Sequence, residues 1–276
     1  MTKISTAEIT KLRKLTGAGI MDCKEALTEA DGDFDKAKEI IREKGKAMAS
    51  KRSEREASEG AVLAKASDDR TKGVMIVLNC ETDFVAKNSD FLNLANEIIE
   101  TALDKIPENL EELKETTLNN TTINEEIINK TGVIGEKLEL SYYDYIKAGQ
   151  VTAYIHPGNK VAALIGLNKS ADDEQIGKDI AMQVASMNPV GIDKDDVPQS
   201  EIDKEMEIIK HQIRQEGKPE ELVDKIAQGK INKFFKESTL LNQAFIKENK
   251  KTVKQYIQEK DKDLTVTAIK QYSIAG

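Results

Sequence analysis

The chain has 276 residues, of which 39% are hydrophobic, 33% are charged and 4% are aromatic, and it contains no Trp. This composition is typical of a highly charged, helix-rich soluble protein, and the length allows two domains with a sizeable core. The formal net charge of -8 argues against nucleic acid and against an anionic membrane surface as partners, because both usually require a basic stripe.

The cysteines and the first residues of the chain indicate the cellular compartment of the protein. The two cysteines, Cys23 and Cys80, form no CxxC pair and have no histidine cluster nearby, so we expect neither a disulfide framework nor a structural zinc site. Residues 1–8 lack the apolar core of a signal peptide, and no apolar run approaches the length of a membrane span. The sequence therefore indicates a cytoplasmic protein without a metal site.

Residues 1–45 are predicted to form a compact domain of three helices. Ser5 and Glu8 have the spacing of a capping box at the start of the first helix, whose apolar face includes Leu15. Glycine-containing turns separate the helices, and the third helix is expected to end near Gly45. So small a unit has a thin core, which favours a docking module over a catalytic domain.

The second helix follows the first glycine turn. Asp22 and Glu25 have the spacing of a start signal for this helix. Ile20 and Met21 lie beside the turn and belong either to an exposed apolar tip or to the core. For Met21 the core is the favoured interpretation.

The central region is predicted to contain two related α+β halves. Two short strands over Gly60–Asn79, around a turn at Ser67–Gly73, precede a helix, and Gly149–Asn168 repeats this layout. Convergence of two hairpin patterns is the alternative explanation for so short a match. A third strand is expected at Leu138–Ile146, and a final strand at Leu264–Ile274 is expected to complete the second sheet.

The remaining segments are a linker and a helical hairpin. The linker contains no Ile, Leu, Val or aromatic residue and is a solvated segment, either irregular or helical. The hairpin has a narrow apolar stripe that suits a projection toward a partner. The residues of this stripe are Ile202, Met206, Ile209, Ile213, Leu222 and Ile226. The predicted division is a three-helix docking domain at 1–45, a linker at 46–59, a first core subdomain at 60–147, a second core subdomain at 148–199 and 236–276, and an inserted hairpin at 200–235.

An inserted loop distinguishes the first half of the core from the second. Residues 80–88 stand between the strand and a helix that Ser89 and Asp90 can cap, whereas the second half has no such segment. The loop carries a free acid, Asp83, beside a large apolar ring, Phe84. An insertion that the fold does not need favours a functional role. The alternative is that Phe84 packs back on its own helix as a staple.

No motif for covalent or nucleotide chemistry occurs in the sequence. The patterns GxxxxGK[ST], GxSxG and HExxH are absent. The two histidines, His156 and His211, lie far apart, and His156 on a predicted turn could act as a base, a contact residue or a solvated side chain. Because nothing pairs a nucleophile with a base, the sequence favours a binding protein.

Two stretches resemble the signatures of a known family. Leu12–Leu27 reads LRKLTGAGIMDCKEAL and resembles the N-terminal signature of bacterial translation elongation factor Ts, and Asn79–Lys87 reads NCETDFVAK and resembles its second signature. Both signatures are long and specific, and the order of elements resembles the family along the whole chain. The sequence departs at Leu78, where an acid is usual, and at His156, which Pro157 follows. It also stops soon after its last strand, without the C-terminal helix of some members.

The resemblance implies a fold and an activity. The fold is α+β, with a small UBA-like three-helix domain, a doubled α+β core and an inserted helical hairpin. The implied activity is guanine-nucleotide exchange on elongation factor Tu, in its GDP-bound and nucleotide-free forms: Mg²⁺ is dislodged and GDP is released so that GTP can bind. No cofactor, no catalytic chemistry and no direct contact with nucleic acid or membrane are implied, and a homodimer or a 2:2 complex stays open.

The resemblance also assigns roles to residues that match the signatures. The Mg²⁺-dislodging loop corresponds to Thr82, Asp83, Phe84 and Val85. Further partner contacts are implied for Arg13, Gly17, Ala18, Gly19, Ile20, Met21, Asp22, Lys24, Ile134, Gly135 and His156.

Two other classes of protein remain open from the residues alone. A small helical adaptor fused to an enzyme domain would bind or turn over a metabolite, with His156 essential. A scaffold or chaperone would bind unfolded chains.

Overall fold

The computed structural model describes residues 4–274, and it is mixed helix and sheet, so the α+β class is confirmed. Residues 1–3 and 275–276, at which the predicted first domain begins and the predicted second subdomain ends, lie outside the described residues. The helices are α1 (Thr6–Thr16), α2 (Ile20–Glu29), α3 (Phe34–Arg52), α4 (Asp83–Ala86), α5 (Ser89–Lys105), α6 (Leu110–Glu115), α7 (Ile123–Ile134), α8 (Glu174–Met187), α9 (Gln199–Gln215), α10 (Glu220–Ser238) and α11 (Val253–Lys260). The strands are β1 (Glu59–Ala66), β2 (Lys72–Cys80), β3 (Thr117–Leu118), β4 (Thr121–Thr122), β5 (Glu139–Lys147), β6 (Gln150–Ile155), β7 (Val161–Leu167), β8 (Ala244–Phe245), β9 (Glu248–Thr252) and β10 (Val266–Ser273).

The core has four layers: helix, sheet, sheet, helix. One antiparallel sheet has the strand order β1-β2-β5 and the other has the order β10-β7-β6. Alternate residues of each central strand face opposite sides. In β2, Ile76 packs toward α5 while Val77 packs toward the second sheet; in β7, Ile165 packs toward α8 while Leu164 packs toward the first sheet. The continuous apolar runs in the sequence therefore correspond to strands buried on both faces.

The internal repeat predicted from the sequence is visible in the two hairpins β1–β2 and β6–β7. Gly60 faces Asn79 in the first hairpin. A Cβ added to Gly60 would lie 2.2 Å from the Leu78 carbonyl oxygen, and one added to Gly149 would lie 2.3 Å from the Asn168 carbonyl oxygen. Each glycine thus permits a close approach of two backbones. The two hairpins also share one register, since Val62 pairs with Val77 and Val151 pairs with Gly166 at the corresponding positions, which supports a structural repeat over a chance similarity of pattern. The third strand expected for each sheet, β5 in the first and β10 in the second, is also confirmed.

Of the N-terminal helices, the first begins as expected, the second begins earlier and the third ends later. The capping box of Ser5 and Glu8 is present at α1. Helix α2 begins at Ile20, so the start signal predicted at Asp22 was wrong by two residues. Helix α3 runs through Gly45 to Arg52, so the predicted end near Gly45 was wrong and the first half of the predicted linker is helical.

The reason for this longer helix lies in another part of the chain. Gly45 is buried against α7, where a Cβ added to Gly132 would lie 2.3 Å from the Gly45 Cα atom. The two glycines allow α3 and α7 to cross closely, and this tertiary contact outweighs the low helix propensity of glycine. Helix α7 continues to Ile134, and Gly135 at its C-cap adopts the left-handed conformation. The division of the chain into domains stays a prediction.

The predicted hairpin is present as α9 and α10. The helices start one residue earlier and end three residues later than the predicted range 200–235. They pack on each other through a cluster of their own. The predicted apolar stripe was wrong by one residue in α10. Leu222 is exposed and Val223 is buried, because the position of α9 determines which side of α10 is covered. The buried members of the cluster are Ile209, Ile213, Val223, Ala227 and Ile231.

The glycine contact between α3 and α7 gives a first prediction. Gly132→Ala should lower the free energy of unfolding by about 1–3 kcal/mol, because the new methyl group overlaps Gly45 and the helices must separate. Gly229→Ala in α10 is the matched control: a Cβ there has no neighbour within 4 Å, and the change should stabilise the helix by about 0.5–1 kcal/mol. Urea unfolding of both variants measures the difference, and a Gly132→Ala variant as stable as the parent would contradict the close crossing.

The separate cluster of the hairpin gives a second prediction. Replacing Ser200–Phe235 with a short Gly/Ser bridge should leave a protein that unfolds in one cooperative transition, because the hairpin buries its apolar residues against itself. Differential scanning calorimetry of the shortened chain tests this expectation. Loss of cooperative unfolding would mean that the hairpin belongs to the main core.

Candidate partner-binding site

The inserted loop after β2 folds into one turn of helix, α4 (Asp83–Ala86). Thr82 is its N-cap, and its hydroxyl accepts a hydrogen bond from the Val85 N–H at 3.4 Å. Ala86 is buried and joins the core cluster under the loop. The following helix α5 is capped by Asn88, whose side chain accepts from the Asp90 N–H at 2.8 Å. The cap predicted at Ser89 or Asp90 was therefore wrong by one or two residues.

Phe84 projects from this loop into solvent. Its exposed fraction is 83%, whereas Val85 beside it is half-buried and packs against the core. The interpretation of Phe84 as a staple on its own helix is therefore wrong. A ring exposed to this extent contributes almost no burial to the stability of the fold, so its position has no structural explanation within the chain.

Asp83 pairs with Lys87 across one turn, with 2.7 Å between Asp83 Oδ2 and Lys87 Nζ. This hydrogen bond lowers the pKa of Asp83, with a further contribution from the charge of Lys160. Both members of the pair are solvent-accessible. Exposed pairs of this spacing are weak, so a partner could exchange its own donor for Lys87 at little cost.

The thiol of Cys80 lies below the loop, at the end of β2. The side chain is fully buried, and its Sγ donates to the Thr82 carbonyl oxygen at 3.1 Å. Burial, with the charge of Glu136 as a smaller contribution, raises the pKa of Cys80 to about 12. The thiol therefore stays protonated at neutral pH.

Two acids cross-link the loop to the segment after α7, and sequence reasoning did not identify them. The Glu136 carboxylate accepts from the Thr82 N–H at 3.0 Å and from the Thr82 hydroxyl at 2.7 Å. The Glu81 carboxylate accepts from the Lys137 N–H at 2.6 Å and from the Arg52 guanidinium at 2.7 Å. Arg52 is the last residue of α3, so this ion pair also connects the loop to the N-terminal helices.

The end of α7 carries Ile134 and Gly135, which the resemblance implies as partner contacts and which immediately precede Glu136. Gly135 has φ +82°, a conformation that favours glycine, and a Cβ added there would meet nothing within 4 Å. The N-terminal turn lies against the same helix end, since a Cβ added to Gly17 would be 3.4 Å from Val133 Cγ1. A cavity of about 340 Å³ lies between the two. The structure thus places the turn at Gly17 beside the end of α7.

The predicted contact residues of the N-terminal helices lie mostly on the surface. Ala18 is buried, whereas Arg13, Gly17, Gly19, Asp22 and Lys24 are exposed. Ile20 and Met21 are 56% and 62% exposed, which agrees with an apolar tip.

The core interpretation of Met21 was wrong, as was the assignment of Leu15 to the apolar face of α1. Met21 shares its side of α2 with Lys24 and Thr28, while the buried stripe of that helix is Cys23, Ala26 and Leu27. Leu15 is 59% exposed and lies at the rim of the cavity beside α7.

His156 lies on the turn between β6 and β7, as predicted. Its Nδ1 atom is 3.0 Å from the Tyr154 hydroxyl, and the side chain is exposed. In the same turn, Lys160 forms an ion pair with Glu59 at the start of β1. The loop after β2 belongs to the first half of the core. The turn with His156, in the second half, lies next to β1, which is the strand that pairs with β2.

Within residues 4–274, no group of three or more His, Cys, Asp or Glu side chains is arranged to hold a metal ion. None of the helices in this range combines the length and the apolar character that crossing a bilayer requires.

Comparison with known proteins gives one consistent result. The family model described as "Elongation factor TS" matches residues 81–275. The elongation factor Ts of Christiangramia forsetii is 50% identical over 275 residues, which cover 99% of this chain and 100% of that protein. Those of Porphyromonas gingivalis and Flavobacterium psychrophilum are 47% and 45% identical, with 98% of both chains covered in the first case and 99% and 100% in the second. The chain therefore belongs to the elongation factor Ts family of translation elongation factors.

Proposed function

We propose that the protein is a guanine-nucleotide exchange factor for elongation factor Tu. The observation that carries the proposal is Phe84, an aromatic ring that is 83% exposed beside the acid Asp83 on a capped loop. Rigid aromatic side chains of this kind anchor many protein interfaces. Family membership supports the choice of partner.

The proposed mechanism is thermodynamic linkage. A protein that binds the nucleotide-free form of a GTPase more tightly than its GDP-bound form must weaken GDP binding by the same factor. No bond is made or broken by the exchange factor, and no cofactor is required. In this sense the protein acts without catalytic chemistry of its own.

The loop would act on the Mg²⁺ of the partner. Mg²⁺ bridges phosphate oxygens and switch residues in GTPases, so moving a switch element loosens both the metal and GDP. Phe84 would insert as a wedge, and the Asp83 carboxylate, released from Lys87, would accept a hydrogen bond from the displaced element. Thr82 and Val85 would hold the wedge in place from either side.

The other predicted contacts would orient the complex. The tip at Ile20 and Met21 presents apolar side chains in the N-terminal domain, which we propose to be a docking domain. Ile134 and Gly135 lie next to this domain, and His156 lies on the turn beside β1. We propose that these surfaces bind the same partner molecule in the cytoplasm, with neither nucleic acid nor membrane involved.

Truncating the wedge is the main test. Phe84→Ala should slow stimulated release of labelled GDP from elongation factor Tu by at least about tenfold, which requires only ~1.4 kcal/mol less stabilisation of the exchange-competent complex. The melting temperature should barely change, because the ring is exposed. Met187→Ala, an exposed apolar residue at the end of α8, is the matched control and should affect neither quantity.

Two results would contradict the wedge. A loss of about 3–5 kcal/mol in stability would indicate a core role for the ring. GDP release at the parental rate would show that the ring is not used, and the proposed function would then lose its main support.

The charge of Asp83 gives a separate prediction. Asp83→Asn should slow GDP release severalfold without a change in melting temperature, because the pair with Lys87 is exposed to solvent and adds little to the stability of the free protein. Glu111→Gln breaks an exposed pair with Lys114 in α6 and is the control for loss of one surface charge. Equal rates for the two variants would show that the carboxylate does not anchor the partner.

A further inference from the structure

Glu81 and Glu136 form a reciprocal pair of tethers at the base of the loop. Each is followed by a residue whose backbone N–H donates to the side chain of the other acid: Thr82 N–H to Glu136, and Lys137 N–H to Glu81. The two segments are far apart in sequence and are joined here side by side. Four donors thus end on two half-buried carboxylates, which are stronger acceptors than neutral groups.

Glu136 also fixes the direction of the Thr82 hydroxyl. This hydroxyl donates to Glu136 Oε1 at 2.7 Å, which leaves its lone pairs free to accept from the Val85 N–H. Without Glu136, the Thr82 side chain would be free to rotate away from its capping position. Helix α4 has only four residues and cannot persist without such support.

Glu81 connects the same tether to the N-terminal helices. Its desolvation raises the pKa of the carboxyl group, but the hydrogen bonds from the Lys137 N–H and Arg52 outweigh this effect, and the pKa is lowered overall. The carboxylate is therefore ionised at neutral pH and keeps the ion pair with the end of α3. The loop, the end of α7 and the last residue of α3 meet in one network.

We infer that Glu136 is a positioning residue for nucleotide exchange: it holds Thr82 as the cap of α4 and so keeps Phe84 in the orientation that the partner receives. The inference rests on the proposed function. Glu81 and Arg52 support the same arrangement from the side of the N-terminal helices. In this inference Glu136 acts on the partner through Thr82 and α4 and makes no contact with the partner of its own.

The test uses Glu136→Ala and Glu136→Gln in the full chain. Glutamine keeps the length and one acceptor oxygen, so it should retain part of the tether, whereas alanine removes both acceptors. Glu139→Gln is the control, since Glu139 is an exposed acid in β5 whose carboxylate pairs with the Lys137 side chain.

Hydrogen exchange of the free protein provides the first readout and needs no partner. The amides of Val85 and Ala86 should exchange about tenfold faster in Glu136→Ala, as expected for a lost cap. The change should be smaller in Glu136→Gln and absent in Glu139→Gln. Unchanged exchange at these amides in Glu136→Ala would overturn the inference.

GDP release from elongation factor Tu provides the second readout. The maximal rate at saturating exchange factor should fall about tenfold in Glu136→Ala, with the half-saturating concentration changed much less, and glutamine should partly restore it. If Glu136 acts through Phe84, adding Glu136→Ala to Phe84→Ala should slow release no further. Fully additive effects, or a parental rate in Glu136→Ala, would overturn the inference.

The Phe84→Ala variant distinguishes a failure of this inference from a failure of the proposed function. If it slows release while Glu136→Ala does not, the inference fails and the proposed function stands. If Phe84→Ala itself releases GDP at the parental rate, the proposed function fails and the inference fails with it.

Discussion

The burial of β2 on both faces is the constraint on which the rest of the structure depends. Val74, Ile76 and Leu78 pack under α5, and Met75 and Val77 pack against the second sheet, all without exposed surface. Hydrogen bonds to β1 and β5 hold the strand on both edges. A strand that is held on both faces and on both edges is a rigid support, and the candidate loop begins at the end of this strand.

Around this strand, the first half of the core collects the elements proposed to contact a partner. The acids Glu81 and Glu136 join the loop to the end of α7, and the crossing of Gly45 with Gly132 joins α7 to the N-terminal helices. The elements that carry the exposed side chains of Ile20 and Phe84 are thus connected through α7, by hydrogen bonds to the loop and by the close crossing with α3. The hairpin α9–α10 shares no cluster with this region.

Local patterns in the sequence were sufficient for much of the fold. Strands buried on both faces appear as continuous apolar runs, and the repeated Gly and Asn positions revealed two related hairpins. Comparing the halves also singled out residues 80–88 as an insertion, which agrees with the exposed position of Phe84. Such signals are carried by neighbouring residues, so a single sequence contains them.

Features that depend on distant contacts were missed. The continuation of α3 past Gly45 depends on Gly132, and the buried side of α10 depends on which side of it α9 covers. Glu136 looked like one acid among many, because its partner Thr82 lies in another segment and no spacing rule links them. The Met21 error had a simpler origin: the side chain was assigned to the core on its residue type, although its spacing to Lys24 and Thr28 places it on the solvent side of α2.

The buried thiol at the base of the loop has a consequence for redox chemistry. Because the pKa of Cys80 is raised to about 12 and its Sγ is covered, almost no thiolate is available to react with peroxide or disulfides in the folded protein. Oxidation of this sulfur requires the segment around Thr82 to open first. The protein can therefore carry a cysteine next to its most exposed aromatic side chain while the sulfur of that cysteine stays protected from oxidants as long as the loop stays closed.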